Sequence, residues 1–355
     1  MTIGSGGIHA SRQGRRYGRQ GSLALGSAIA LLATALAAPA TAQSDLVVTT
    51  GVGDGTVAGL AYLPGAFTVA VGDSVAFTIG SDDPHTITFG EGPADVPPDA
   101  WPVSGWEAPP ADAPPPYDLG TTTYDGTGFV NSAILFGKGS VGTIEFTAAG
   151  TFPFFCAIHP GMAGEVTVVE DGPVTTQEAD TAGAATSDLL LGAIDSVREE
   201  ALAAVSVDDN ADGTRTHNVF ADADTDTGPM PGGGTGHLEL LEFTPPQIAI
   251  DPGDTVHSTA NRVHSLTFIP EGTDPASVFE SFEAAFAPLG GTTYDGTAPA
   301  HSGLLGIPGP DGQAVSEYSL TFPTEGVYPF FCILHAELGQ VGVVAVGVPL
   351  PEPAG

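Results

Sequence analysis

The sequence predicts an all-β protein: two antiparallel β-sandwiches in tandem, joined by a linker with one helix. Three observations carry this. The chain has 355 residues, about two domains at roughly 150 residues each. It holds 49 Gly and 31 Pro with only 14 % charged residues, a mix that favours short strands and turns over long helices. A set of motifs also occurs twice in the same order, at a spacing that drifts between about 181 and about 170 residues, as loop insertions would make it.

The first segment, residues 1–42, reads as a signal peptide. Arg12, Arg15, Arg16 and Arg19 precede an apolar run, SLALGSAIALLATALAA, and the run ends at Ala40-Thr41-Ala42. A basic region, an apolar region and small residues at a cleavage point together imply export to the periplasm or medium, with no membrane span after cleavage. Removing the leader leaves 42 acids against Lys138, Arg198, Arg215 and Arg262, so 4 minus 42 gives a net charge of -38. That balance excludes electrostatic nucleic-acid binding and docking on an anionic membrane. Adaptation to a salty medium and steering towards a cationic partner both remain open.

Residues 43–170 form the expected first domain. Phe67, Val69 and Val71 alternate with smaller residues, Gly72-Asp73 turns the chain, and Val75, Phe77 and Ile79 alternate again, the pattern of a β-hairpin with one buried face. The Pro-rich stretch 93–120 reads as a long loop carrying Trp101 and Trp106. Residues 171–210 form the linker. DGPVTTQEADTAGAAT reads as irregular, and a helix over 188–205 follows, N-capped by Ser187 with Leu190, Ile194, Val197 and Ala201 on one face. Residues 211–348 form the second domain and 349–355 a tail. There VAVGDSVAFTI recurs as IAIDPGDTV, HTITFGEG as HSLTFIPEG, and TTYDGT as itself.

Cys156 and Cys332 are the only cysteines, and each lies in the same local pattern, TFPFFCAIH and VYPFFCILH. Each therefore belongs to its own copy of the repeat, and a disulfide between them is not expected. In the first copy His85 follows the second strand of the pattern, and Cys156-x2-His159-x2-Met162 closes the domain. In the second copy the equivalents are His264 and Cys332-x2-His335. One early His with a late Cys-His pair supplies the trigonal thiolate and two imidazoles that suit copper cycling between Cu+ and Cu2+.

With these residues in view, both copies resemble the blue copper proteins, the cupredoxins, of plastocyanin and amicyanin type. CAIHPGMAGEVTV is similar to amicyanin in spacing, and CILHAELGQVGVV is similar to plastocyanin in loop length. The resemblance covers nearly all of 45–170 and 215–348 and implies Greek-key sandwiches with two copper sites. His85, Cys156, His159 and Met162 would hold one copper. His264, Cys332, His335 and Gln340 would hold the other, with Leu338 the rival for the axial position. A Gln oxygen would lower the potential of the second site, whereas Leu338 at the metal would raise it.

His217, His237, His257 and His301 have no counterpart in the first copy and read as surface or loop residues. Two-domain copper oxidases and nitrite reductases place a His directly beside the Cys. Here the neighbours are Phe155 and Ala157, and Phe331 and Ile333. The expected function is single-electron transfer between a donor and an acceptor protein, neither identified. The alternatives are a copper-storage module, a copper enzyme, or an extracellular interaction domain with little or no metal.

Overall fold

The computed structural model describes residues 46–352, apart from 111, 173–175, 275–277, 279–281 and 308–313. The expected leader lies outside the described residues. Residues Thr41–Gly355 form one unit.

The first sandwich has ten strands. These are β1 (Leu46–Gly53), β2 (Val57–Leu63), β3 (Ala66–Ala70), β4 (Ser74–Ser81), β5 (Thr88–Phe89), β6 (Asp118–Tyr124), β7 (Val130–Asn131), β8 (Val141–Phe146), β9 (Gly150–Phe155) and β10 (Ala163–Val169). One face joins β2, β1, β4, β8 and β6. The other joins β3, β10, β9, β5 and β7. Phe77, Phe89, Phe146 and Phe154 fill the space between them and are fully buried. Their rings meet edge-on or tilted, with centroids 5.3–5.9 Å apart, the spacing that aromatic quadrupoles favour.

The second half repeats this order. Its strands are β11 (Ser206–Asp209), β12 (Arg215–Phe220), β13 (Ala223–Asp224), β14 (Gly228–Pro229), β15 (Thr235–Leu240), β16 (Gln247–Ile250), β17 (Thr255–Thr259), β18 (Thr267–Phe268), β19 (Ala300–His301), β20 (Glu317–Thr321), β21 (Gly326–Phe331) and β22 (Val341–Val346). β12 pairs with β17 as β1 does with β4, and β16 pairs with β22 as β3 does with β10. β18 lies between β19 and β21 as β5 lies between β7 and β9. Phe268, Phe322 and Phe330 fill this second core.

Three expectations need correction. The sandwiches are mixed rather than antiparallel, because β1–β4, β3–β10 and β6–β8 are parallel pairs. Residues 66–79 do not form a hairpin. β3 and β4 belong to opposite sheets, so Gly72-Asp73 carries the chain across the sandwich. The same alternation results, because both strands face one core from opposite sides.

The third correction concerns the linker. The helix begins twelve residues earlier than 188: α1 spans Thr176–Gly192, and α2 spans Ile194–Ala204. The stretch read as irregular carries four Ala with one Glu and one Gln, good helix formers. Ser187 lies inside α1 and caps nothing. Gly183 is buried where a Cβ would sit 3.0 Å from the Leu63 carbonyl carbon, so this glycine lets the helix approach β2 closely. The expected apolar face does form. Leu190 and Val197 are buried, and Ile194 and Ala201 are partly so. Among the described residues no helix is long and apolar enough to cross a membrane.

β15 ties the two halves together. It follows β12 in the chain as β2 follows β1, but it pairs antiparallel with β2 itself, His237 opposite Leu60 and Leu240 opposite Val57. Its first residue, Thr235, pairs with Ala163 of β10. β15 therefore extends the sheets of the first sandwich, while the four- and five-stranded sheets of the second half stay separate. A small core of Ala61, Leu63, Leu190, Val197, Leu238 and Leu240 seals this seam.

Candidate metal centres

Each triad is assembled by the same three devices. A loop residue after β4 or β17 is held by a lone bridge, His85 to Leu135 and His264 to Leu305. The Cys stands directly after β9 or β21. The connection into β10 or β22 then folds back on the Cys, so that Cys156 N–H donates to Met162 O at 3.0 Å and Cys332 N–H to Gln340 O at 3.1 Å. That shared bond makes Gln340 the positional equivalent of Met162. Leu338 instead packs against the first sandwich's core.

In the first triad the Cys156 Sγ lies 3.3 Å from His159 Nδ1 and 3.9 Å from His85 Nδ1, and the two Nδ1 atoms are 3.1 Å apart. In the second, Cys332 Sγ lies 3.5 Å from His335 Nδ1, and the two Nδ1 atoms are 3.3 Å apart. Gln340 Oε1 is 3.0 Å from both of those nitrogens. Donors about 2.0–2.3 Å from one ion would stand roughly 3.3–3.8 Å from each other. The separations in the two triangles, 3.1–3.9 Å, lie close to that range. Met162 is buried.

The thiols are prepared as thiolates. Burial pushes Cys156 up, but the His159 and His85 imidazoles outweigh it and hold the thiol well below its usual range. The same opposition, from His264 and His335, holds Cys332 low. A backbone N–H also donates to each sulfur, Thr86 at 3.3 Å and Ser265 at 3.4 Å. A matching support lies behind each: Ala157 N–H donates to Thr86 Oγ1 at 2.7 Å, and Ile333 N–H to Ser265 Oγ at 3.0 Å. Cys156 and Cys332 are both free and buried.

The far ring nitrogens are tied as well. His85 Nε2 meets Ser81 Oγ at 2.8 Å. A Cβ on Gly51, whose φ is +74°, would fall 2.1 Å from that same nitrogen, so only glycine leaves room for the ring. His159 Nε2 meets Asp83 Oδ2 at 2.9 Å, and His264 Nε2 meets Glu239 Oε1 at 2.9 Å. Burial pushes the Asp83 carboxyl up, but His159, with His85 and His335, holds it at about 2. Burial likewise pushes Glu239 up, and His264 brings it below the usual range. Carboxylates of this kind fix the ring tautomer and make the facing nitrogen a better donor.

A family comparison matches residues 47–169 to the copper binding proteins of the plastocyanin/azurin family. Over that span the first sandwich is similar to the blue copper proteins, the cupredoxins. The plastocyanin of Capsella bursa-pastoris is 29 % identical over 120 residues, 33 % of this chain and 94 % of that one. Plastocyanin B'/B'' of Nicotiana tabacum is 29 % identical over 112 residues, 31 % and 89 % of the two chains. Among solved structures, oxidized plastocyanin from Dryopteris crassirhizoma is 22 % identical, covers 36 % of this chain and 98 % of its own, and has a TM-score of 0.20. Pseudoazurin from Methylobacterium extorquens is 22 % identical, with 38 % and 76 % covered and a TM-score of 0.20.

Three of the four other histidines are not at the surface. His217, His237 and His301 are buried. His301 takes the place of Asn131, meeting Thr267 Oγ1 at 2.8 Å where Asn131 Oδ1 accepts from Thr88 Oγ1 at 2.9 Å. His217 Nε2 meets Asp254 at 3.2 Å. His257 is half-buried and meets Ser319. Asp83 and Glu239 escaped the sequence reading. Asp83 stands two residues before His85 and could have been noticed. Glu239 could not, because β15 brings it to His264 only after crossing the seam.

Proposed function

We propose that this is an exported electron carrier with two type 1 copper sites, one in each sandwich. The observation that carries the proposal is the doubled His-Cys-His triangle. It is built twice from the same strands, with the same N–H···S bonds. His85, Cys156, His159 and Met162 would hold one copper, and His264, Cys332, His335 and Gln340 the other. Bound copper would supply a one-electron Cu+/Cu2+ couple.

The chain's own residues support rapid exchange. Both thiolates sit in buried, hydrogen-bonded pockets whose backbone is fixed by sheet on either side. Ligand positions therefore need move little between oxidation states. His159, with its side chain 13 % exposed, is the candidate ligand most open to a partner. No His neighbours either Cys, which favours a carrier over the two-domain copper enzymes. The donor and acceptor would be proteins met in the periplasm or another extracytoplasmic space.

Voltammetry of the copper-loaded protein tests this. Two reversible one-electron waves are expected, with copper content unchanged after cycling. Cys156→Ser should remove one wave and the other should survive. Loss of copper on each reduction would contradict a carrier and favour a storage module.

A further inference from the structure

A cluster of buried carboxylates stands behind the second triad and shares its His264. Asp222, Glu239 and His264 are all buried, and their ligand atoms lie within 4.8 Å of one another. Glu239 is at the centre. Its Oε1 faces His264 Nε2 at 2.9 Å, and its Oε2 faces His237 Nε2 at 3.9 Å. Asp222 Oδ2 lies 3.6 Å from His264 Nε2. His237 is 1 % exposed, and its Nε2 has no hydrogen-bond partner. A buried ring nitrogen left unpaired is costly, so its aim at a carboxylate calls for an explanation.

We infer that Asp222, Glu239 and the outer nitrogen of His264 form a third metal site, for a divalent cation of the Zn2+ type, with His237 aimed at its Glu239 carboxylate from one side. Imidazole nitrogen and carboxylate oxygen both bind Zn2+ at about 2.0–2.2 Å, so a pair of donors can stand up to roughly 4.2 Å apart across the ion. His264 Nε2 stands 2.9 Å from Glu239 and 3.6 Å from Asp222, both inside that limit. The donor set is also anionic and dry. Two carboxylates buried side by side repel, and a divalent ion would neutralise both. Asp222 is already oriented, since the Asn261 and Arg262 backbone N–H groups donate to its Oδ2 at 2.9 and 2.7 Å.

His264 would then bridge two metals, its Nδ1 in the copper triad and its Nε2 in the new site. The Nε2 proton, now shared with Glu239, would pass to solvent, one proton released for each cation bound. This bridging rests on the proposed copper reading; the cation site itself does not.

The test is metal counting on the copper-loaded protein after dialysis against Zn2+ and then buffer. Two coppers and one zinc per chain are expected, with a shift of the visible bands as zinc enters. Glu239→Gln and Asp222→Asn should each lower zinc affinity by at least about 10-fold, while Asp222→Asn should keep both coppers. Melting curves of each variant check folding. No zinc retained by the wild type, or equal zinc in wild type and both variants, would overturn the site. The second result would identify adventitious binding to the acidic surface. A colourless protein would fail the copper reading instead, and its Glu239-dependent zinc count would still decide this one.

Discussion

Gln340 decides how the two triads differ. Its oxygen stands 3.0 Å from both imidazole nitrogens of the second site, where the first site has the thioether of Met162. An oxygen donor favours Cu2+ over Cu+. Gln340→Met should therefore raise the second site's potential towards the first, read by redox titration of the visible bands. An unchanged potential would mean that Gln340 does not face the metal. The triads themselves were legible because chemistry restricts the residue types and the repeat shows each twice. The choice between Gln340 and Leu338 was not, since spacing alone allows both. Gln340 is favoured by one backbone bond, Cys332 N–H to Gln340 O, and by Leu338's place against the other sandwich.

At the scale of elements, the turn before β17 shows how the crossing between sheets is held. Asp254 is 2 % exposed and accepts N–H bonds from Arg215 at 2.8 Å and Asp251 at 3.1 Å. Asp73 holds the matching turn in the first copy, accepting from Ala70 at 2.8 Å. Burial pushes Asp254 up, but these bonds, with His217 and Arg215, hold its carboxyl below the usual range. The unfolded state therefore takes up the proton first as pH falls. The stabilisation is present above about pH 4 and is lost below it. Asp254→Ala should cost about 1.5–3 kcal/mol at pH 7, and the difference from wild type should shrink in denaturation curves taken below pH 4. The strands were legible from their alternation. Their pairing was not, because a strand facing a shared core alternates alike whether its partner lies in its own sheet or opposite. The start of α1 was hidden for a related reason. Its first turns show few large apolar residues, since the helix meets β2 through the small Gly183.

Across the whole molecule, β15 makes two sandwiches into one body. It carries Leu238 and Leu240 into the seam core and Glu239 to His264. Electrostatic contact between the two halves follows: the His335 ring helps hold the Asp83 carboxyl low, and His159 does the same for Glu239. Leu238 is fully buried, so Leu238→Ala should cost about 2–5 kcal/mol. Calorimetry should show the single transition of the wild type broaden or split as the halves uncouple. The duplication was legible in the sequence. The exchange of β15 was not, because a strand's own residues do not say which edge it will join.

The most direct test of the account is the visible absorption spectrum of the protein after copper titration, with metal counted per chain. Intense blue colour that grows to two coppers per chain is the predicted result. Saturation at one copper, with Cys332→Ser leaving the spectrum unchanged, would contradict the second site, and a colourless protein would contradict both.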